Sequence, residues 1–160
     1  MTTIHKPTEQ PTPVFIVGIG NDYRHDDGVG LVVARALKQN PLPHVTVLES
    51  TGDGAELIDI WRNNPRVILI DAVNSNAEPG TLHQINVRKH PLPTDFLIQS
   101  THSFGVAEAI ELSLTLNYLP SCLLFFGIEG EDFSLGLGLS PRVENMVPTV
   151  LEHIHNKIRN

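Results

Sequence analysis

The chain has 160 residues, 41% of them hydrophobic, and 18 acids against 11 Lys and Arg leave a net charge of −7. That length is enough for one domain with a real core, and an acidic balance without a Lys/Arg cluster argues against nucleic-acid binding. No apolar run approaches the roughly 20 residues that cross a bilayer, no basic-then-apolar segment opens the chain, and the lone Cys122 excludes an internal disulfide or a cysteine zinc cage; a cytoplasmic protein without membrane contact is expected.

Residues 1–13, with Pro7, Pro11 and Pro13 among polar neighbours, read as a flexible N-terminal leader. A single folded domain is expected over 14–160. Val14-Phe15-Ile16-Val17 has the look of a buried parallel strand. A glycine-rich loop follows, then Val29, Val32, Val33, Ala36 and Leu37 recur at helical spacing up to Asn40-Pro41. Strand, glycine turn and helix in that order put the loop at the carboxyl edge of a sheet, where open α/β folds gather ligands.

His44-Val45-Thr46-Val47-Leu48 predicts a second strand, and 55–64 a helix with Leu57, Ile58 and Trp61 inward. The aliphatic run in 66–73 predicts a strand buried on both faces, ending at Asp71. An amphipathic strand is expected over 81–87, then a proline-containing loop from Arg88 to Thr101. A helix from Phe104 through Val106, Ala107, Ile110 and Leu114 to Tyr118 places His102 at a helix start. After a strand over 122–128 and the segment Leu135-Gly136-Leu137-Gly138-Leu139, Ser140 caps a last helix opened by Pro141, which Pro148 should kink or divide. The order β-α-β-α-β-β-α-β-α predicts a three-layer α/β/α sandwich with a mostly parallel central sheet.

The loop Gly18-Ile19-Gly20-Asn21-Asp22-Tyr23-Arg24-His25-Asp26-Asp27-Gly28-Val29-Gly30 invites a dinucleotide-binding reading, and Glu49 stands where a ribose-binding acid would. However, the third glycine comes late, and two carboxylates at the helix start would repel a pyrophosphate. Asp26 and Asp27 can instead be helix caps, and Asp71 an Asx-turn residue. A carboxylate ending a central strand also suits a cation. If the first and third strands are neighbours, Asp26, Asp27, Asp71 and His102 converge on one sheet edge. There two carboxylates and an imidazole offer three ligands to a divalent metal.

Three motifs in order, Gly18-x-Gly20-Asn21-x-x-x-x-Asp26-Asp27-Gly28-Val29-Gly30, the strand ending in Asp71-Ala72, and Ser100-Thr101-His102, resemble the endopeptidases that mature the large subunit of nickel-iron hydrogenases. The likeness spans Val14 to about Ile158. It implies a twisted mixed sheet between helices, a peptidase domain over 14–160, and a site in which Asp27, Asp71 and His102 bind nickel. It further implies that the nickel is carried by the substrate, a large-subunit precursor whose C-terminal tail is cut, with no organic cofactor. Asp26 or Asp27 is the carboxylate that would activate water. A Rossmann-type nucleotide module and a non-catalytic chaperone of the hydrogenase subunit are the competing readings. Tyr23-Arg24-His25 stands where many relatives carry an aliphatic residue first, and marks a subgroup with its own partner.

Overall fold

The computed structural model describes residues 8–93, 95–96 and 102–160, so residues 1–7 of the expected leader and Ser100-Thr101 of the third motif lie outside the described residues. Residues 8–13 are exposed and carry no regular structure. The elements are β1 (Val14–Ile19), a 3-10 turn (His25–Gly28), α1 (Val29–Gln39), β2 (Val45–Ser50), α2 (Gly54–Trp61), β3 (Arg66–Val73), β4 (Leu82–Asn86), α3 (Val106–Leu116), β5 (Cys122–Glu129), α4 (Pro141–Glu144) and α5 (Val147–Arg159). The sheet order is β2-β1-β3-β5-β4; β4 alone runs antiparallel. The expected adjacency of the first and third strands is met.

Side-chain alternation sorts the core into two layers. Val17 and Ile19 of β1 and Val67, Leu69 and Val73 of β3 pack with α2 and α3. Val14 and Ile16, with Ile68, Ile70 and Ala72, pack with α1, α4 and α5. Helices therefore cover both faces, and Asp71 falls in the set facing α2 and α3. Trp61 is fully buried there, its indole N–H donating to Ser113 Oγ at 2.9 Å.

The glycines of the first loop serve close packing. A Cβ on Gly18 would collide with the Gly30 carbonyl, one on Gly20 with the Asp27 carbonyl, and one on Gly30 with the carbonyls of Ile19 and Ile70. Only hydrogen atoms at these positions let α1 start flush against β1 and β3, which is why Asp26 and Asp27 lie hard against the sheet edge.

Three expectations need correction. The last helix is indeed divided, with Pro148 in the first turn of α5, but Ser140, although at the N-cap position of α4, makes no capping bond. Its hydroxyl donates to Asp26 instead, a charged acceptor and the stronger one. On α3 the inward residues are Val106, Ala109, Ile110 and Ser113, while Ala107 and Leu114 are exposed. The buried Trp61 indole needs an acceptor, and Ser113 supplies it, rotating the helix from its most apolar face. Finally, the N-cap of α3 is Gly105, so His102 lies in a bend three residues before that cap.

Candidate active site

β1, β3 and β5 end at one carboxyl edge, and the 3-10 turn packs there against β3 and the start of α1. Neither Asp26 nor Asp27 caps a helix side-chain-wise; the N-cap of α1 is Gly28. Asp26 is fully buried. One of its oxygens accepts from the Ser140 amide at 2.7 Å, the other from the amides of Glu131 at 2.8 Å and Asp132 at 2.9 Å and from Ser140 Oγ at 2.6 Å. Burial pushes this carboxyl up, but the hydrogen bonds from Ser140, Asp132 and Glu131 outweigh it and hold it below its ordinary range. Asp26 thus ties the segment 131–140 to the first loop, and both its oxygens are committed.

Asp27 faces a different environment. Desolvation raises its pKa, opposed by the positive charge of Arg24 and by a hydrogen bond from the Asn21 amide. Asn21 also accepts from the Tyr23 amide through Oδ1 at 2.9 Å, so the Gly20-Asn21 pair shapes the turn that presents Asp27. Asp71 accepts from the Ala72 amide at 2.8 Å, but it lies within β3, so it forms no Asx turn. That bond does not settle its charge, because desolvation and then the neighbouring Asp27 carboxylate push its pKa well above the ordinary carboxylate value. In register beside it is Gly127 of β5, where a Cβ would collide with Val73 and Phe125. Two desolvated carboxylates, one of which raises the proton affinity of the other, form a pair that takes up a proton or a cation.

His102 sits at the same edge, over the end of β2, where its Nε2 is 3.0 Å from Thr51 Oγ1. It is not assembled with the carboxylate pair: among the described residues no group of three or more His, Cys, Asp and Glu side chains is positioned to hold a metal ion. Asp27 and Asp71 therefore come together, His102 stands apart on Thr51, and Asp26 is turned into the protein.

Glu49, the residue that favoured a nucleotide site, is engaged by Arg35 at 2.8 Å and Lys38 at 2.7 Å, whose hydrogen bonds lower its pKa. Arg35 also grips Asp22 through both guanidinium ends, at 2.9 and 2.8 Å. The glycine loop is closed by its own backbone contacts, so the two features of the dinucleotide reading serve packing and surface ion pairs. Ser140, Arg24 and Asn21 are the site residues that sequence reasoning passed over. The Asn21 position was visible in the motif. The link of Ser140 to Asp26, 114 residues away, was not.

Fold and site together define a three-layer α/β domain, its five-stranded sheet mostly parallel, with an acidic pair at the sheet edge. The HycI hydrogenase maturation protease family matches residues 31–157. The Hydrogenase 2 maturation protease of Escherichia coli K12 is 27% identical over 150 residues, covering 91% of this chain and 90% of that protein. The hydrogenase expression/formation protein HupD of Rhodobacter capsulatus is 28% identical over 160 residues, covering 96% of this chain and 74% of that one. Among solved structures, the hydrogenase maturating endopeptidase HybD from E. coli superposes with a TM-score of 0.79 at 25% identity, covering 92% and 93% of the two chains. The chain belongs to the hydrogenase maturation protease family, and is a hydrogenase maturation endopeptidase. No helix among the described residues is long and apolar enough to cross a membrane.

Proposed function

We propose that this endopeptidase removes the C-terminal extension of a nickel-iron hydrogenase large-subunit precursor that already carries its nickel, and that Asp27, Asp71 and His102 are the groups that meet the ion. The observation that carries this reading is the Asp27–Asp71 pair, two carboxylates whose pKa values are raised by desolvation and, for Asp71, by Asp27. Such a pair gains when a cation arrives. With oxygen ligands, one imidazole and no thiolate, it grips a soft divalent ion weakly, which suits contact with nickel still held by the precursor. His102 joins by exchanging Thr51 for the ion.

With the precursor anchored through its metal, the peptide bond to be cut lies beside Asp27. The Asp27 oxygen turned away from the ion can serve as the base. A water adds its oxygen to the scissile carbonyl carbon while Asp27 takes its proton. As the C–N bond breaks, that proton passes to the departing amine, leaving a carboxylic acid and a free tail. Asp26 positions the loop rather than touching substrate, since both its oxygens are occupied.

The test is the mass of the precursor before and after incubation, with and without nickel loading. Asp27→Ala, Asp71→Ala and His102→Ala should each give a folded protein that leaves the loaded precursor uncut. Full processing by all three would overturn the assignment. Binding without any mass change in the wild type would point to a chaperone, and binding of NAD to a nucleotide module.

A further inference from the structure

Three of the most exposed large apolar side chains of the molecule lie together beside the site: Tyr23 is 70%, Leu135 84% and Leu137 69% exposed. They are brought together by a parallel bridge between Arg24 and Gly136. The Gly136 amide donates to the Tyr23 carbonyl at 2.8 Å, and the His25 amide to the Gly136 carbonyl at 2.9 Å. Gly136 packs so closely on the His25 ring that any Cβ there would collide with it. Gly136 thus spends its main-chain groups on the first loop. The main-chain groups of Leu135 and Leu137 make no hydrogen bond among the described residues.

Exposed apolar side chains next to unpaired backbone are costly to keep at a surface unless something covers them. Asp26, bonded to the amides of 131, 132 and 140, holds the strip in place before any partner arrives, so little ordering cost remains at docking. The strip is also continuous with the site: the Asp27 amide donates to the Arg24 carbonyl at 3.1 Å. Its charge selects the occupant. Residues 129–139 contain no Lys or Arg; of their acids Glu129 is buried, leaving Glu131 and Asp132, and the neighbouring Arg24 guanidinium is engaged by the Phe133 carbonyl at 3.2 Å. Glu131 and Asp132 are exposed, and hydrogen bonds from Ser134 keep Asp132 ionised by lowering its pKa.

We infer that Tyr23, Leu135 and Leu137 form a docking strip for an apolar segment of the precursor that also carries basic side chains, holding it alongside Asp27. The inference rests on the function proposed above and names how that site selects its substrate.

The experiment compares the wild type with the triple variant Tyr23→Ser/Leu135→Ser/Leu137→Ser. It reads both processing kinetics and fluorescence anisotropy of labelled precursor, nickel-loaded and nickel-free. The variant should keep the wild-type circular dichroism and melting temperature, raise KM and Kd on the order of 20-fold from lost apolar burial, and retain its kcat. Glu131→Lys should raise Kd several-fold at low salt, and the difference should close at high salt. Leu114→Ser, at a comparably exposed leucine on α3, should change neither constant.

A triple variant with KM and Kd within about twofold of wild type overturns the inference. So does a wild-type dimer that the variant turns into a monomer with unchanged Kd, which would assign the strip to a second copy. If the wild type leaves loaded precursor uncut, the proposed function fails; the Kd comparison still decides the docking strip.

Discussion

Replacing Asp26 separates a structural anchor from a catalytic base. Its carboxylate is fully buried and accepts from three amides and one hydroxyl at 2.6 to 2.9 Å. A hydrogen bond to a charged group contributes about 1.5 to 3 kcal/mol net, and an orphaned buried donor costs a similar amount. The four do not add, because the amides of 131 and 132 lie near solvent and can rehydrate. A loss of about 3 kcal/mol for Asp26→Ala follows, or a Tm drop of about 10 °C for a domain of this size. Asp26→Asn keeps the shape but turns an N–H toward donors, and should cost nearly as much. The assay is urea denaturation with amide exchange, in which protection at 131, 132 and 140 should fall first. Since the folded pKa is lowered from 3.8, the anchoring contribution is present at neutral pH and fades as pH falls below that value. If Asp26→Asn were as stable as wild type but lost its kcat with a changed pH–rate profile, Asp26 would be a base and the anchoring argument would fail.

Asp71 should behave in the opposite sense. Its folded pKa is raised well above 3.8, so its charge weakens the fold at neutral pH, and that penalty vanishes as pH falls below the ordinary value. Asp71→Asn should therefore raise the Tm at neutral pH while abolishing processing, and the gain should close near about pH 4; a lowered Tm at neutral pH would contradict the raised pKa. Gly30→Ala drives a methyl into the carbonyls of Ile19 and Ile70 and should cost about 3 kcal/mol, whereas a variant melting with the wild type would mean that α1 can step back from the sheet. Ser113→Ala strands the buried indole N–H of Trp61, a loss of about 2 kcal/mol in chemical denaturation, and Ser113→Thr should recover part of it if the hydroxyl is what matters.

The layers, the strand neighbours and the division at Pro148 were legible because they depend on period, apolar runs and local breakers. The carboxyl-edge placement of Asp27 and Asp71 was legible for the same reason, although β3 runs two residues past Asp71, to Val73, rather than ending there. What escaped reading was long-range partnership. Asp26 and Asp27 look alike as adjacent letters, yet one is claimed by amides 105 to 114 residues away and the other is left facing Asp71. Ser113 looks like a polar break in an apolar helix until Trp61 supplies the reason for burying it. His102 was placed at a helix start because the apolar pattern of α3 seems to begin at Phe104, but the helix begins only after Gly105.

The division of labour between the two adjacent aspartates explains how this edge stays reactive. A like-charge pair at a strand end would ordinarily relax by moving apart or by recruiting donors. Asp71 cannot move, because it is a residue of the central strand, paired with Gly127 of β5 and directly following Ile70, the last residue paired with β1. Asp27 cannot move either, because Gly20 lets the backbone carbonyl of Asp27 press against β1, and Asp26 anchors the turn from the other side. The donors that might have quenched the pair, the amides of 131, 132 and 140, are all consumed by Asp26. The electrostatic cost is therefore retained in the folded state, and under the function proposed above the nickel of the precursor would relieve it. An enzyme that held its own tight metal would have no such reserve with which to distinguish a loaded substrate from an empty one.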